Sequence, residues 1–176
     1  MRFQERVFAA SRAIFTVTDV IAAVLLIAIT GLNLSAVFMR YVMLDSIPWS
    51  EEIMRYGSVW LTFLAAATVS SRNEHLSLEF LHGRGSPAVQ RAYRIALHLL
   101  AAVFGAFVLW QGVIYCAKNG MQTAPTTGLP MLTAYAAIAV GGGLIMLAEL
   151  MRAWETLVLP LESPDDFVHP SEGGLH

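Results

Sequence analysis

Residues 37–81 read VFMRYVMLDSIPWSEEIMRYGSVWLTFLAAATVSSRNEHLSLEFL, which places a short polar turn between two long apolar segments. Several charged side chains lie in or beside that turn, among them Arg40, Glu51, Glu52 and Arg55. Charged groups are costly near lipid and seldom lie there without partners or a function. The stretch therefore predicts a connection that rests on a membrane surface and leads directly into the next membrane-spanning helix.

Aromatic residues accompany these charges; they are Tyr41, Trp49, Tyr56 and Trp60. Rings with a polar edge favour the boundary between membrane and water. On a helix, Arg55 can meet the carboxylate of Glu51, four residues earlier, or that of Glu52, three residues earlier. One interpretation is an interfacial helix start with a local ion pair. A second interpretation adds a surface for a partner subunit, because Arg40 would also lie near these carboxylates.

The composition indicates a protein built for lipid. Hydrophobic residues make up 56% of the 176 residues and charged residues only 14%, and the mean hydropathy is +0.59. Soluble domains carry about 25% charged residues. The net charge of −2 gives no reason to expect nucleic acid as a partner. The one cysteine, Cys116, excludes an internal disulfide.

The apolar segments predict an all-α integral membrane protein with a single domain over residues 1–160. Four transmembrane helices are expected, at about residues 17–39, 50–71, 93–115 and 130–151. Each segment has about the 20 residues that a helix needs to cross the hydrocarbon layer. The basic residues before the first span are typical of a helix at an anionic membrane face. The end of the chain, residues 161–176, is rich in Pro, Gly and acids, which predicts a disordered tail.

Basic residues are unevenly divided between the two sides of this arrangement. The side that holds both termini and the second loop carries Arg2, Arg6, Arg12, Arg72, Arg84, Arg91, Arg94 and Arg152. The opposite side carries Arg40, Arg55 and Lys118. Lysine and arginine accumulate in cytoplasmic loops, so this distribution predicts that both termini are cytoplasmic. The charged turn would then face the periplasm.

Several motifs resemble one known family. They are Phe-x-Arg-Tyr at 38–41, Pro-Trp-Ser-Glu-Glu-x-x-Arg-Tyr at 48–56, Trp-Leu-x-Phe-Leu-x-Ala-Ala at 60–67 and Arg-x-x-His at 72–75. Gly-Leu-Pro-Met at 128–131, followed by Tyr135, also fits that family's last span. Over about residues 15–155 the chain resembles the small membrane subunit of tripartite ATP-independent periplasmic (TRAP) transporters, the DctQ-like family. Arg72 and His75 would mark the cytoplasmic end of the second span.

The resemblance implies a bacterial inner-membrane protein that acts as an accessory subunit, a scaffold surrounded by membrane lipids. Its partners would be a large membrane subunit, which carries the substrate and ion sites, and a periplasmic substrate-binding protein. Such a system is a secondary importer, driven by an ion gradient, for an organic acid. The resemblance implies no cofactor for the small subunit.

Enzymatic motifs are missing from the sequence. It has no Gly-x-x-x-x-Gly-Lys-Ser/Thr phosphate loop, no His-Glu-x-x-His and no cysteine cluster. His98 stands alone in the third span, where a hydrogen-bonded packing role is the simpler interpretation. We therefore expect neither catalysis, nor a cofactor, nor a metal.

A stand-alone small transporter that works as an oligomer is the alternative function. Such a protein should place an ionisable residue near the middle of the membrane. The acids nearest the apolar centres, Asp19 and Glu149, lie towards the ends of their spans, which favours the accessory role. Asn33, within the first span, is expected to pack inside the bundle.

Overall fold

The computed structural model describes residues 2–71 and 87–158, and within these residues the secondary structure is helical apart from a turn at 42–47 and a loop at 120–131. The helices are α1 (Arg2–Tyr41), α2 (Pro48–Ser71), α3 (Pro87–Asn119) and α4 (Leu132–Val158). The all-α fold class is confirmed. The basic segment before the first span was predicted to be separate from that span, and the structure joins the two in one helix of 40 residues, Arg2–Tyr41. Arg72, His75 and the predicted tail 161–176 lie outside the described residues.

Three helices are long and apolar enough to cross a membrane, over Arg12–Tyr41, Ala88–Asn119 and Leu132–Val158. The remaining helix, α2, has 24 residues but is less apolar. Glu51, Glu52 and Arg55 lie in its first two turns, and hydroxyl side chains are spread over the rest of it. By length and composition, the structure thus supports the first, third and fourth of the four predicted spans.

The helices pack as a row in the order α1, α2, α4, α3. Helix α2 contacts α1 on one side and α4 on the other, and α3 packs against α4. The row therefore has two inner helices, α2 and α4, and two outer helices, α1 and α3. Nearly all the residues that α4 buries are small: Ala134, Ala137, Gly141, Gly142, Ala148 and Ala153. Small side chains let neighbouring helix backbones approach closely.

One stripe of α1 packs against α2. Its buried and half-buried positions alternate in steps of three and four residues: Phe15, Thr18, Ala22, Leu25, Ile29, Leu32, Ala36 and Met39. This is the spacing of a coiled-coil seam. Asn33 lies outside the seam and is exposed, so the expectation that it packs inside the bundle is wrong for the chain by itself. Gly31 has no neighbouring atom within 4 Å of an added Cβ, so it is not a packing contact either.

Glycines bring α3 and α4 into direct backbone contact. A Cβ added at Gly142 would lie 2.5 Å from the backbone nitrogen of Leu109, and one added at Gly112 would lie 2.5 Å from that of Ala139. Real Cβ atoms cannot approach that closely, so each position requires glycine. Gly143, by contrast, would meet only a leucine side chain, at 3.8 Å. Gly141 packs as closely as Gly142 does, but against α2, where an added Cβ would overlap Cβ of Phe63.

The α1–α2 turn and the α3–α4 loop lie at the same end of the row. The indole Nε1 of Trp60 donates a hydrogen bond of 2.8 Å to the carbonyl oxygen of Thr133, at the start of α4. Near it, the hydroxyl of Tyr56 lies 3.3 Å from the sulfur of Met131. We call this the turn end. It brings the predicted charged turn together with the loop that precedes α4.

Candidate functional site

An ion pair at the turn end joins α1 to α2. The guanidinium of Arg40, at the last turn of α1, donates a hydrogen bond to Oε1 of Glu51 in the first turn of α2. The two side chains are 51% and 57% exposed. Tyr41 and Trp49, two of the aromatic residues that accompany these charges in the sequence, are 74% and 44% exposed themselves. Folding the hairpin does bring opposite charges together, but this chain alone does not cover them.

Glu52 points the other way, into the protein, and is buried. Its Oε2 accepts hydrogen bonds from the backbone N–H of Thr127 at 2.8 Å, from that of Thr126 at 3.2 Å and from the Thr126 hydroxyl. Its Oε1 accepts a hydrogen bond of 2.9 Å from the hydroxyl of Tyr56. Donors of this number stabilise an ionised carboxylate. Glu52 thus fastens the start of α2 to the α3–α4 loop.

The loop is shaped to present those donors. Its ends are closed by hydrogen bonds from the N–H of Gly128 to the carbonyl of Ala124 at 3.0 Å and from the N–H of Ala124 to the carbonyl of Leu129 at 2.8 Å. Gly128 has a φ of +69°, a conformation that glycine adopts without strain. Between these closing bonds, the N–H groups of Thr126 and Thr127 are directed at Glu52.

Arg55 does not take the role that its spacing predicts. It is exposed, and in the part of the chain that the structure describes it forms no ion pair with Glu51 or Glu52. The physical reason is that both carboxylates are already engaged, Glu51 by Arg40 and Glu52 by Tyr56 and the loop. Spacing of three or four residues permits a contact on a helix but does not require it.

A second polar cluster lies towards the other end of the row, inside the protein. Nδ1 of His98 on α3 lies 2.7 Å from Oε2 of Glu149 on α4. The hydroxyl of Ser70 on α2 donates a hydrogen bond to the other carboxylate oxygen, Oε1. The side chains of His98 and Glu149 are only 4% and 3% exposed. We call these three residues the interior cluster; it joins three of the four helices.

The order of groups in the interior cluster does not match nucleophilic catalysis. In a Ser–His–acid triad the imidazole lies between the hydroxyl, whose proton it accepts, and the carboxylate. Here the carboxylate of Glu149 lies between the hydroxyl of Ser70 and the imidazole of His98. The geometry is that of a structural tie in which a buried carboxylate receives donors from two neighbouring helices.

Arg152, one turn beyond Glu149 on α4, caps the end of α2. Its Nε donates a hydrogen bond of 2.8 Å to the carbonyl oxygen of Ser71, and its Nη2 donates to the same oxygen. Its Nη1 lies 2.8 Å from the carboxylate of Glu155. The last carbonyls of a helix lack partners within the helix, and a cation there satisfies them.

Sequence reasoning missed the interior cluster because Glu149 was interpreted as a carboxylate near the end of its span. One signal could have found it. His98 and Glu149 lie in neighbouring apolar segments, each a few turns inside the span on the side of the chain termini. Two ionisable residues at similar depth in adjacent spans tend to be partners, because each is costly to bury alone.

Comparison with known proteins gives one family match that includes both polar clusters, the one at the turn end and the interior cluster. Residues 29–159 match the family described as tripartite ATP-independent periplasmic transporters, DctQ component. A protein of Haemophilus influenzae named "Putative TRAP transporter small permease protein" is 28% identical over 121 residues, which cover 69% of this chain and 75% of that relative. The match includes the charged turn, the α3–α4 loop and the interior cluster. The chain therefore belongs to the DctQ component family of the tripartite ATP-independent periplasmic transporters.

Proposed function

We propose that this chain is the small accessory permease subunit of a secondary TRAP importer, driven by an ion gradient, for an organic acid. It acts as a scaffold for a large membrane subunit that works with a periplasmic substrate-binding protein. The observation that carries the proposal is the family match over residues 29–159, which takes in the last part of α1, the whole of α2, α3 and α4, and both polar clusters. With three candidate spans, the chain is a multi-pass protein of the inner membrane.

The interior cluster bears on the alternative, a stand-alone transporter. Glu149 is an ionisable residue inside the apolar bundle, as that alternative requires. However, its two oxygens are bonded to Ser70 on α2 and to His98 on α3. A carboxylate held by two other helices is suited to fastening them rather than to carrying an ion between two faces. This supports the accessory function.

The proposed topology includes α2 as a fourth span, with both chain termini in the cytoplasm. A helix of 24 residues rises about 36 Å, which exceeds the hydrocarbon thickness of about 30 Å. Two of its polar residues, Thr68 and Ser70, are buried by the neighbouring helices. The turn end then faces the periplasm, where the substrate-binding protein works.

Reconstitution tests the function directly. The chain is incorporated into proteoliposomes alone, with the large subunit, and with the large subunit plus the binding protein, each with and without a sodium gradient. We expect uptake of a radiolabelled organic acid only from the complete set and only with the gradient. Gradient-dependent uptake by this chain alone would contradict the accessory function and support the stand-alone alternative.

A further inference from the structure

We propose that the α3–α4 loop and Tyr56 form a carboxylate-binding site. Its resident ligand is the side chain of Glu52, and it binds a small free carboxylate when that side chain is missing. The proposal concerns the chain by itself and does not depend on the proposed transport function.

The donors of the site converge as they would on a free anion. The backbone N–H groups of two successive residues, Thr126 and Thr127, point to one oxygen of Glu52, at 3.2 and 2.8 Å. The hydroxyl of Thr126 points to the same oxygen, and that of Tyr56 lies 2.9 Å from the other oxygen. Successive backbone N–H groups in a turn form an anion-binding concavity, and both oxygens of a carboxylate are matched here.

The shape of the loop rests on bonds that do not involve Glu52. The N–H of Gly128 bonds to the carbonyl of Ala124, and the N–H of Met131 bonds to the carbonyl of Gln122 at 2.7 Å. Ala124 is buried at 3% exposure. Because these contacts remain when the Glu52 side chain is removed, the donors stay in place. The site is therefore preformed, which lowers the entropy cost of binding a ligand.

The size of the ligand follows from the chemistry of the resident side chain. Shortening Glu52 to alanine removes the Cγ methylene and the carboxylate, a fragment that acetate reproduces closely. The four donors are all neutral groups. The site therefore holds an anion through hydrogen bonds and not through a fixed positive charge. Arg55 lies three residues further along α2 and is exposed, so its positive charge favours the approach of an anion.

The test is chemical rescue of Glu52→Ala. The full chain is purified in detergent, and its thermal midpoint is measured in sodium acetate and in sodium chloride of equal ionic strength. We expect a lower midpoint for Glu52→Ala than for wild type in chloride, and a saturable upward shift in acetate. Wild type and Glu52→Gln should lack that acetate-specific shift, because their side chains fill the site. Glu51→Ala, which removes the neighbouring exposed carboxylate, should also lack it.

An equal response of Glu52→Ala to acetate and chloride would overturn the proposal, as would an acetate shift of the same size in Glu52→Gln. If Glu52→Ala does not fold, hydrogen exchange over residues 121–131 decides between the outcomes. Wild type should protect the amides of Thr126 and Thr127, and Glu52→Ser, which removes the carboxylate and leaves a short neutral side chain, should lose that protection and regain it in acetate. Identical exchange in wild type and Glu52→Ser, in both acetate and chloride, would refute the site.

Discussion

Oε2 of Glu149 lies 2.7 Å from Nδ1 of His98, although 51 residues separate the two in the sequence. This contact links α3 to α4, and the hydroxyl of Ser70 extends it to α2. Apolar side chains pack in several registers at similar cost, whereas a buried polar group demands one set of partners. The interior cluster therefore fixes how these three helices are aligned along their axes.

Removal of one partner from the interior cluster should destabilise the chain strongly. Glu149→Ala is expected to lower the free energy of unfolding by roughly 3–5 kcal/mol, because it removes the partner of a buried group. The double change His98→Ala/Glu149→Ala should cost less than the sum of the single changes. Denaturant titration in detergent measures both. Glu155→Ala, on the same helix but partly exposed, is the control and should cost about 0–1 kcal/mol. Additive effects would show that the two side chains are not coupled.

The close contact of α3 and α4 predicts a difference between neighbouring glycines. Gly142→Ala places a Cβ against the backbone of Leu109, so it should destabilise by about 1–3 kcal/mol, as overpacking usually does. Gly143→Ala has room for its Cβ and gains helix propensity, so its effect should be neutral or stabilising by up to about 1 kcal/mol. Thermal unfolding of the two variants side by side is the measurement. Equal midpoints would contradict the packing of the row.

The exposed pair Arg40–Glu51 distinguishes a solvated helix start from a partner surface. Because both side chains are about half exposed in the chain alone, Arg40→Ala should leave the thermal midpoint of the purified chain close to that of wild type. If the large subunit covers this pair, the same variant should co-purify less of that subunit. The matched variant is the exchange Arg40→Glu/Glu51→Arg, which keeps the ion pair but swaps the positions of its two charges. If all variants co-purify the large subunit at wild-type levels, the pair is a solvated helix start and not a partner surface.

The topology predicts where reporter domains will be found. Fusions after Gly83 and after the fourth span should report the cytoplasm, and a fusion after Thr123 should report the periplasm. The physical basis is the excess of arginine on the side of the chain termini. A periplasmic signal from the Gly83 fusion would refute the proposed topology, in which α2 crosses the membrane and both termini are cytoplasmic.

If the chain acts as the proposed accessory subunit, Asn33 predicts which side of α1 meets the large subunit. It is an exposed amide within an apolar span and has no hydrogen-bond partner in the described residues, so contact with another protein helix is more favourable than contact with lipid. A photo-crosslinking residue at Asn33 should attach to the large subunit in membranes that contain both chains. The same residue at Ile29, in the seam with α2, should give no intersubunit product. Intersubunit products from Ile29 alone would reverse the assignment of faces.

The sequence predicted the helices well because their signals are local. Pro48 marks the start of α2; the first three predicted spans fall within helices of the structure, and the fourth begins two residues before α4. The pairing of Arg40 with Glu51 was also within reach, since a short turn brings the end of one helix beside the start of the next. Such features depend on residues close together in the chain.

The partners of Glu52 could not be predicted in the same way. Thr126 and Thr127 lie 74 and 75 residues further along the chain, and they reach Glu52 only because α4 packs against α2. Every span is apolar on several sides, so hydrophobic periodicity does not reveal which helices become neighbours. The bonds of Glu149 to Ser70 and His98 depend on that same order of helices.

The row order α1, α2, α4, α3 has a consequence for biosynthesis. The least apolar helix, α2, is made second, but Glu52 and Ser70 find their partners in the α3–α4 loop and in α4, which leave the ribosome later. While the rest of the chain is being made, α2 can rest only on α1, through an apolar seam. Glu52 therefore lacks its loop donors until Thr127 has been made, and Ser70 lacks its carboxylate partner until synthesis has passed Glu149. Truncation before that residue should leave a nascent chain whose second helix is poorly retained in the bilayer and is exposed to quality-control proteases.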